Sequence, residues 1–233
     1  FAVPSIVASS VFGAEAPSRR INIGCIGVGR MGMGDLGSIL GFDQVRVVAV
    51  CDVDSQRARH AREVVEKRYA DETRAGTYRG CSEHGDFREL IAREDIDAVQ
   101  ICTPDHWHAV QAVHACESGK HVYVEKPSSV TVREGQAMVD AARKNGCKVQ
   151  VGAQGRSGGP AYHTCKAIRN GMIGQVTKVD CWHYANPIDA NPVPDETPPP
   201  ELDWDLWLGP LPWRPYNKRY CPATFRWLME SGG

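Results

Sequence analysis

Glycines at 27, 29 and 32 restrict what this chain can fold into more than any other feature. They follow a short apolar run, residues 21–27, and open a stretch, residues 30–40, with the pattern of a helix. A strand that passes into a helix through Gly-x-Gly-x-x-Gly uses each glycine differently. Gly27 permits the tight turn, Gly29 lets the backbone approach a pyrophosphate, and Gly32 lets the helix pack close to the strand. The amides of Val28, Arg30 and Met31 then sit at a helix N-terminus, where free N–H groups and the helix dipole favour an anion. Asp52 follows Gly32 by 20 residues, at the end of the next apolar run. A carboxylate there accepts both ribose hydroxyls and repels a 2′-phosphate, so NAD is expected in preference to NADP.

The same rhythm continues along the chain. Strands are expected at 45–51, 97–102, 121–124 and 147–151, and helices at 54–70, 105–118 and 131–144. A short helix is expected around Phe87, Leu90 and Ile91, and a loop over 71–82. Thr131-x-x-Glu134 reads as a capping box and Asn145-Gly146 as a helix stop. The almost wholly apolar run 45–51 suits a strand buried on both faces. Alternation of this kind implies an α/β fold, a parallel sheet with helices on both faces. Such sheets bind ligands beyond the carboxyl ends of their strands. Gly27, Asp52, Thr103, Glu125-Lys126 and Gln154 stand at those ends.

Lys126 is the candidate catalytic group. A lysine on the sheet rim, near a nicotinamide, can hydrogen-bond a substrate hydroxyl or carbonyl and carry the proton that accompanies hydride movement. Partial burial would suit such work, and Pro127 allows a cis bond. Thr103 and Pro104 are placed to wall the cofactor, and His108 to touch ribose or nicotinamide, unless it is only a polar residue opening a helix. Gln154 and Arg156 are placed to meet nicotinamide and substrate. Trp182, His183 and Tyr184 form either a stacking wall for a sugar-like ligand or part of an aromatic core. No metal site is expected, because His106-x-His108 has no third ligand at suitable spacing. No Gly-x-Ser-x-Gly elbow occurs.

Composition narrows the partners. A net charge of -1 gives no electrostatic case for nucleic acid or an anionic membrane. No apolar run after residue 20 is long enough to span a bilayer. Residues 1–18, mostly apolar and ending near Ala14-Glu15-Ala16, look like the tail of a signal peptide, so export is expected. Nine cysteines without a Cys-x-x-Cys do not suggest a disulfide framework; Cys25, Cys51, Cys102 and Cys181 are expected as buried thiols. After residue 152 the rhythm changes. A helix at 162–170, a strand at 176–184 and an extended, proline-rich stretch at 187–200 are expected before a segment with Trp204 and Trp207.

Residues 23–32, 102–108 (Cys-Thr-Pro-Asp-His-Trp-His) and 119–127 (Gly-Lys-His-Val-Tyr-Val-Glu-Lys-Pro) together resemble the Gfo/Idh/MocA family of glucose–fructose oxidoreductase and inositol dehydrogenase. Glu125-Lys126-Pro127 is the most specific of these matches, and residues 202–210 look like those of exported family members. The resemblance implies a Rossmann NAD(P)-binding domain over 19–150 and, over 151–233, part of an α+β C-terminal domain with a large open sheet. It implies oxidation or reduction of a sugar, cyclitol or related polyol, Lys126 near substrate and nicotinamide, and a homo-oligomer when full length. Asp105 and Ser128 depart from residues common in the family without touching the chemistry. Relatives complete the site with an Asp and a His on one helix beyond a glycine-rich segment; a chain ending at Gly232-Gly233 is therefore expected to be a C-terminally truncated fragment with poor turnover.

Two rivals stand beside an NAD-dependent dehydrogenase. One is a redox-cycling glycosidase or lyase of the same fold, which oxidises a sugar transiently and reduces it again with the same NAD. The other is a non-catalytic NAD-binding regulator, against which the retained Glu125-Lys126 argues.

Overall fold

The computed structural model describes residues 20–156, 158–182, 193–221 and 229–232. The signal-like segment 1–18 and the candidate residues His183 and Tyr184 lie outside them. The elements are β1 (Ile21–Ile26), α1 (Arg30–Ile39), β2 (Val45–Cys51), α2 (Ser55–Arg68), α3 (Ala70–Arg74), β3 (Ser82–His84), α4 (Phe87–Ile91), β4 (Ala98–Ile101), α5 (Asp105–Glu117), β5 (His121–Val124), α6 (Val132–Asn145), β6 (Val149–Val151), α7 (Gly159–Arg169) and α8 (Trp204–Leu208).

The six strands form one sheet in the order β3-β2-β1-β4-β5-β6. Every ladder is parallel. This is the Rossmann order, in which the sense of strand addition reverses between β1 and β4. On one face Leu36 of α1 and Ala61 and Val65 of α2 pack on Cys25, Val47 and Val50. On the other, α4, α5 and α6 cover Ile26, Val99, Ile101 and Val124. Each fully buried Val or Leu contributes roughly 1.5–3 kcal/mol. The caps are as the sequence predicts: Thr131 and Glu134 cap α6 reciprocally, and Gly146 closes it in the left-handed region at φ 66°.

Three expectations are corrected. Residues 71–82 are not simply a loop, since they hold most of α3 and the start of β3. Ser-Glu-His carries no apolar alternation because β3 is the sheet edge and half-exposed. Residues 176–182 are irregular rather than a strand, and Val179 and Trp182 are exposed. No strand among the described residues lies alongside to pair with them, and none follows Val151, so the implied second sheet is not among the described residues. Cys25 and Cys51 are buried and Cys102 is half-buried, but Cys181 is exposed. Burial also pushes the Cys116 thiol up to about 11, leaving it protonated and unreactive.

Beyond the sheet, Trp204, Trp207, Leu208, Leu211, Tyr216 and Cys221 form a third apolar cluster. It sits against the end of β2 through an isolated antiparallel bridge between Asp54 and Leu202.

Candidate functional site

A cleft of about 550 Å³ opens at the switch between β1 and β4. Its floor is the glycine turn. Gly27 has φ +80°, and a Cβ there would come within 2.6 Å of the Cys102 carbonyl carbon. Its N–H donates to the Cys51 carbonyl at 2.8 Å. A Cβ on Gly32 would overlap the Gly27 carbonyl oxygen. No side chain caps α1, so the amides opening it remain available to a ligand. Arg30 and Met31, which follow, are exposed and line the cleft.

Asp52 stands at the end of β2. Its Oδ2 accepts from the Val28 N–H at 2.9 Å and its Oδ1 from the Asp54 N–H at 3.0 Å. Burial raises its pKa; the two backbone hydrogen bonds and Arg57 pull it down. Each carboxylate oxygen keeps a lone pair for a hydroxyl. Arg57 reaches the same cleft and pairs with Asp54 at 3.5 Å. A glycine cradle, an uncapped helix start and a carboxylate at the end of the second strand fit a dinucleotide.

At the other end of the cleft are Thr103, Pro104, His108, Glu125, Lys126 and Pro127. The Lys126–Pro127 bond is cis. Glu125 is 4% exposed and accepts from Gln154 Nε2 at 2.9 Å, from the Lys126 N–H at 3.2 Å and from the Tyr123 hydroxyl at 3.4 Å. That carboxylate holds the start of the lysine turn. Lys126 itself is exposed, without the partial burial that would suit proton transfer. His108 is buried, with one ring nitrogen 2.6 Å from the Pro127 carbonyl oxygen and the other 2.8 Å from that of Thr103. The ring sits between the Thr103 turn and the lysine turn, and its polar atoms face these two carbonyls rather than the cleft. Thr103 donates its hydroxyl to Gln111 at 2.8 Å.

The cleft thus gathers Gly27, Gly29, Arg30 and Met31 of the glycine turn, Asp52, Thr103, Pro104, His108, Glu125 and Lys126, whereas Gly32 does not line it and Val28 is buried with its N–H held by Asp52 rather than free for an anion. Gln154 does not line it and instead holds Glu125. Arg156 is exposed and outside it, and Trp182 is exposed, forming neither a wall nor core among the described residues. Sequence reasoning passed over Arg57, Trp107, Leu206 and Trp207, which also line the cleft. Among the described residues no group of three or more His, Cys, Asp or Glu is placed to hold a metal ion. No helix among them is long and apolar enough to cross a membrane.

His106 joins this site to α8. It is 4% exposed, and one ring nitrogen lies 3.0 Å from the Trp207 carbonyl oxygen. Burial pushes its pKa down to about 4 from 6.5, so the folded state takes up its proton later than the unfolded chain as pH falls. Stability contributed by the neutral ring is present above about 6.5 and is lost as pH falls towards about 4, by up to about 3 kcal/mol. Urea unfolding from pH 7.5 down to 4.5 is expected to be flatter over this window in His106→Gln; parallel curves would exclude His106 as the cause.

The model of the oxidoreductase family's NAD-binding Rossmann fold matches residues 21–153, and that of its C-terminal α/β domain matches residues 163–233. A glycosyl hydrolase family 109 protein of Shewanella pealeana is 32% identical over 168 residues, 72% of this chain and 36% of that protein. An α-N-acetylgalactosaminidase of Shewanella oneidensis is 31% identical, with 72% of this chain and 36% of that protein covered. The chain thus spans about 36% of the length of these relatives. Among solved structures, the WlbA dehydrogenase of Bordetella pertussis, in complex with NADH and UDP-GlcNAcA, superposes with a TM-score of 0.55 at 27% identity, over 67% of this chain and 44% of that one. A putative myo-inositol dehydrogenase of Sinorhizobium meliloti gives 0.56 at 27% identity, over 66% of this chain and 42% of that one.

Proposed function

This chain belongs to the Gfo/Idh/MocA oxidoreductase family, and on that footing we propose that the full-length protein is an NAD-dependent oxidoreductase acting on a ring hydroxyl of a sugar, cyclitol or related polyol. One observation carries the reading. The glycine turn, Asp52 and Lys126, at the ends of β1, β2 and β5, line a single cleft. The turn and the amides opening α1 hold the pyrophosphate, and Asp52 takes the adenosine ribose. The bound dinucleotide supplies the hydride acceptor. Lys126 accepts the hydroxyl proton as the alcohol becomes a carbonyl, and returns it in the reverse direction. His108 and Glu125 keep the Thr103 and Lys126 turns in register with each other.

A second reading rests on the two Shewanella relatives, whose names are those of glycosidases. In it, hydride would leave the sugar, the substituent would be eliminated together with a ring proton, water would add in their place, and hydride would be returned to the same sugar, with no net change in NAD.

The test is a screen of sugars and cyclitols with NAD and with NADP, following absorbance of the reduced cofactor. Reduced cofactor is expected with at least one substrate, and NAD to be favoured by roughly tenfold or more through the charge-assisted hydrogen bonds of Asp52. Cleavage of a glycoside with no accumulation of NADH would replace the first reading by the second.

A further inference from the structure

Residues 201–209 run from one side of the dinucleotide cleft to the other. At the end of β2, the Ser55 N–H donates to the Glu201 carbonyl at 2.9 Å and the Asp203 N–H donates to the Val53 carbonyl at 2.9 Å. At the start of α5, the indole N–H of Trp107 forks between the carbonyls of Leu206, at 3.0 Å, and Trp207, at 3.1 Å. His106 meets the same Trp207 carbonyl at 3.0 Å. Gly209, with φ +52°, lies against the Trp107 ring, and a Cβ there would overlap it. Leu206 and Trp207, whose carbonyls form the second anchor, also line the cleft.

We infer that residues 201–209 form a strap across the dinucleotide site, latched at Trp107, and that opening this latch sets the rate at which the dinucleotide enters and leaves. The inference rests on the dinucleotide reading of the cleft. Asp52 lies beside the first anchor, and the Thr103–Pro104 wall lies just before the second. A molecule extended from Asp52 to Lys126 therefore passes beneath the strap. The two anchors differ in kind. The β2 anchor is backbone to backbone and next to the packed cluster of Trp204 and Trp207, whose rings stack 4.8 Å apart. The α5 anchor is made by the side chains of His106 and Trp107 on the carbonyls of Leu206 and Trp207, so it is the end that a side-chain change can release.

Trp107→Phe keeps an aromatic ring next to Phe87, 5.3 Å away in the parent, and deletes the forked N–H together with the second ring of the indole. Gly209→Ala is the second variant, and it pushes the strap from the ring by overlap. Both are to be compared with the parent chain by stopped-flow, following NADH emission on mixing and then on chase with excess NAD. Losing the forked hydrogen bond of the latch, or displacing it by overlap, is expected to quicken release roughly tenfold. Uptake should quicken as well, so that Kd moves less than either rate. Weakened contact with the ligand alone would raise release and leave uptake unchanged. Parent-like release in both variants, or faster release with unchanged uptake, overturns the strap. Failure of the parent chain to bind NADH overturns instead the dinucleotide reading beneath it.

Discussion

Lys126→Ala is expected to reduce turnover by roughly a hundredfold to ten-thousandfold, the usual weight of a positioned proton carrier, with dinucleotide affinity close to the parent's. The separation follows from the geometry. Lys126 lies at the end of β5, whereas the glycine turn and Asp52 belong to β1 and β2. Its side chain is exposed, so its removal leaves no buried hole. Lys126→Arg sharpens the test, since a guanidinium keeps the charge but does not give up its proton. Both variants should fail in the steady-state assay while binding NADH normally. Parent-like turnover in either would remove Lys126 from the proton path.

The second large effect is structural in origin. In Gly32→Ala the new methyl would overlap the Gly27 carbonyl oxygen; that atom is backbone and a Cβ has no rotamer, so no side-chain movement relieves the clash. The start of α1 has to move away from β1. A stability loss of about 1–3 kcal/mol is expected from overpacking. Displaced amides forfeit charge-assisted hydrogen bonds to a pyrophosphate, and affinity for NADH should fall roughly a hundredfold. The same helix supplies the control: a Cβ on Gly34 meets nothing within 4 Å. Gly34→Ala should bind NADH like the parent and be up to about 1 kcal/mol more stable. Equal affinities in the two variants would show that the approach of α1 to the turn does not matter for binding.

The parallel sheet was readable because its signals are local. Apolar runs, glycine stops and the Thr131–Glu134 box each lie within a few residues of the element they define. β3 escaped because an edge strand of Ser, Glu and His needs no apolar face and is held by its ladder to β2. Residues 176–182 misled for the opposite reason: Val176 and Val179 suit a strand, but a strand also needs a neighbour. In the site, the strand-end rule located Asp52 and Lys126. It could not show that Gln154 turns towards Glu125, 29 residues earlier, or that Trp107 reaches Leu206, 99 residues later. Those contacts depend on how distant segments pack, and nothing in the intervening residues encodes them. His108 lay in a recognisable stretch, but whether its nitrogens face a ligand or two carbonyls is decided only by where the Pro127 carbonyl ends up.

The bond from Gln154 to Glu125 has a practical side for anyone recombining such proteins. The sheet ends at Val151, which invites a crossover there. A chimaera joined at that point would take its amide from the incoming half, and the carboxylate behind the lysine turn would inherit whatever residue arrived. The seam belongs after Gln154, so that the lysine travels with its own backing.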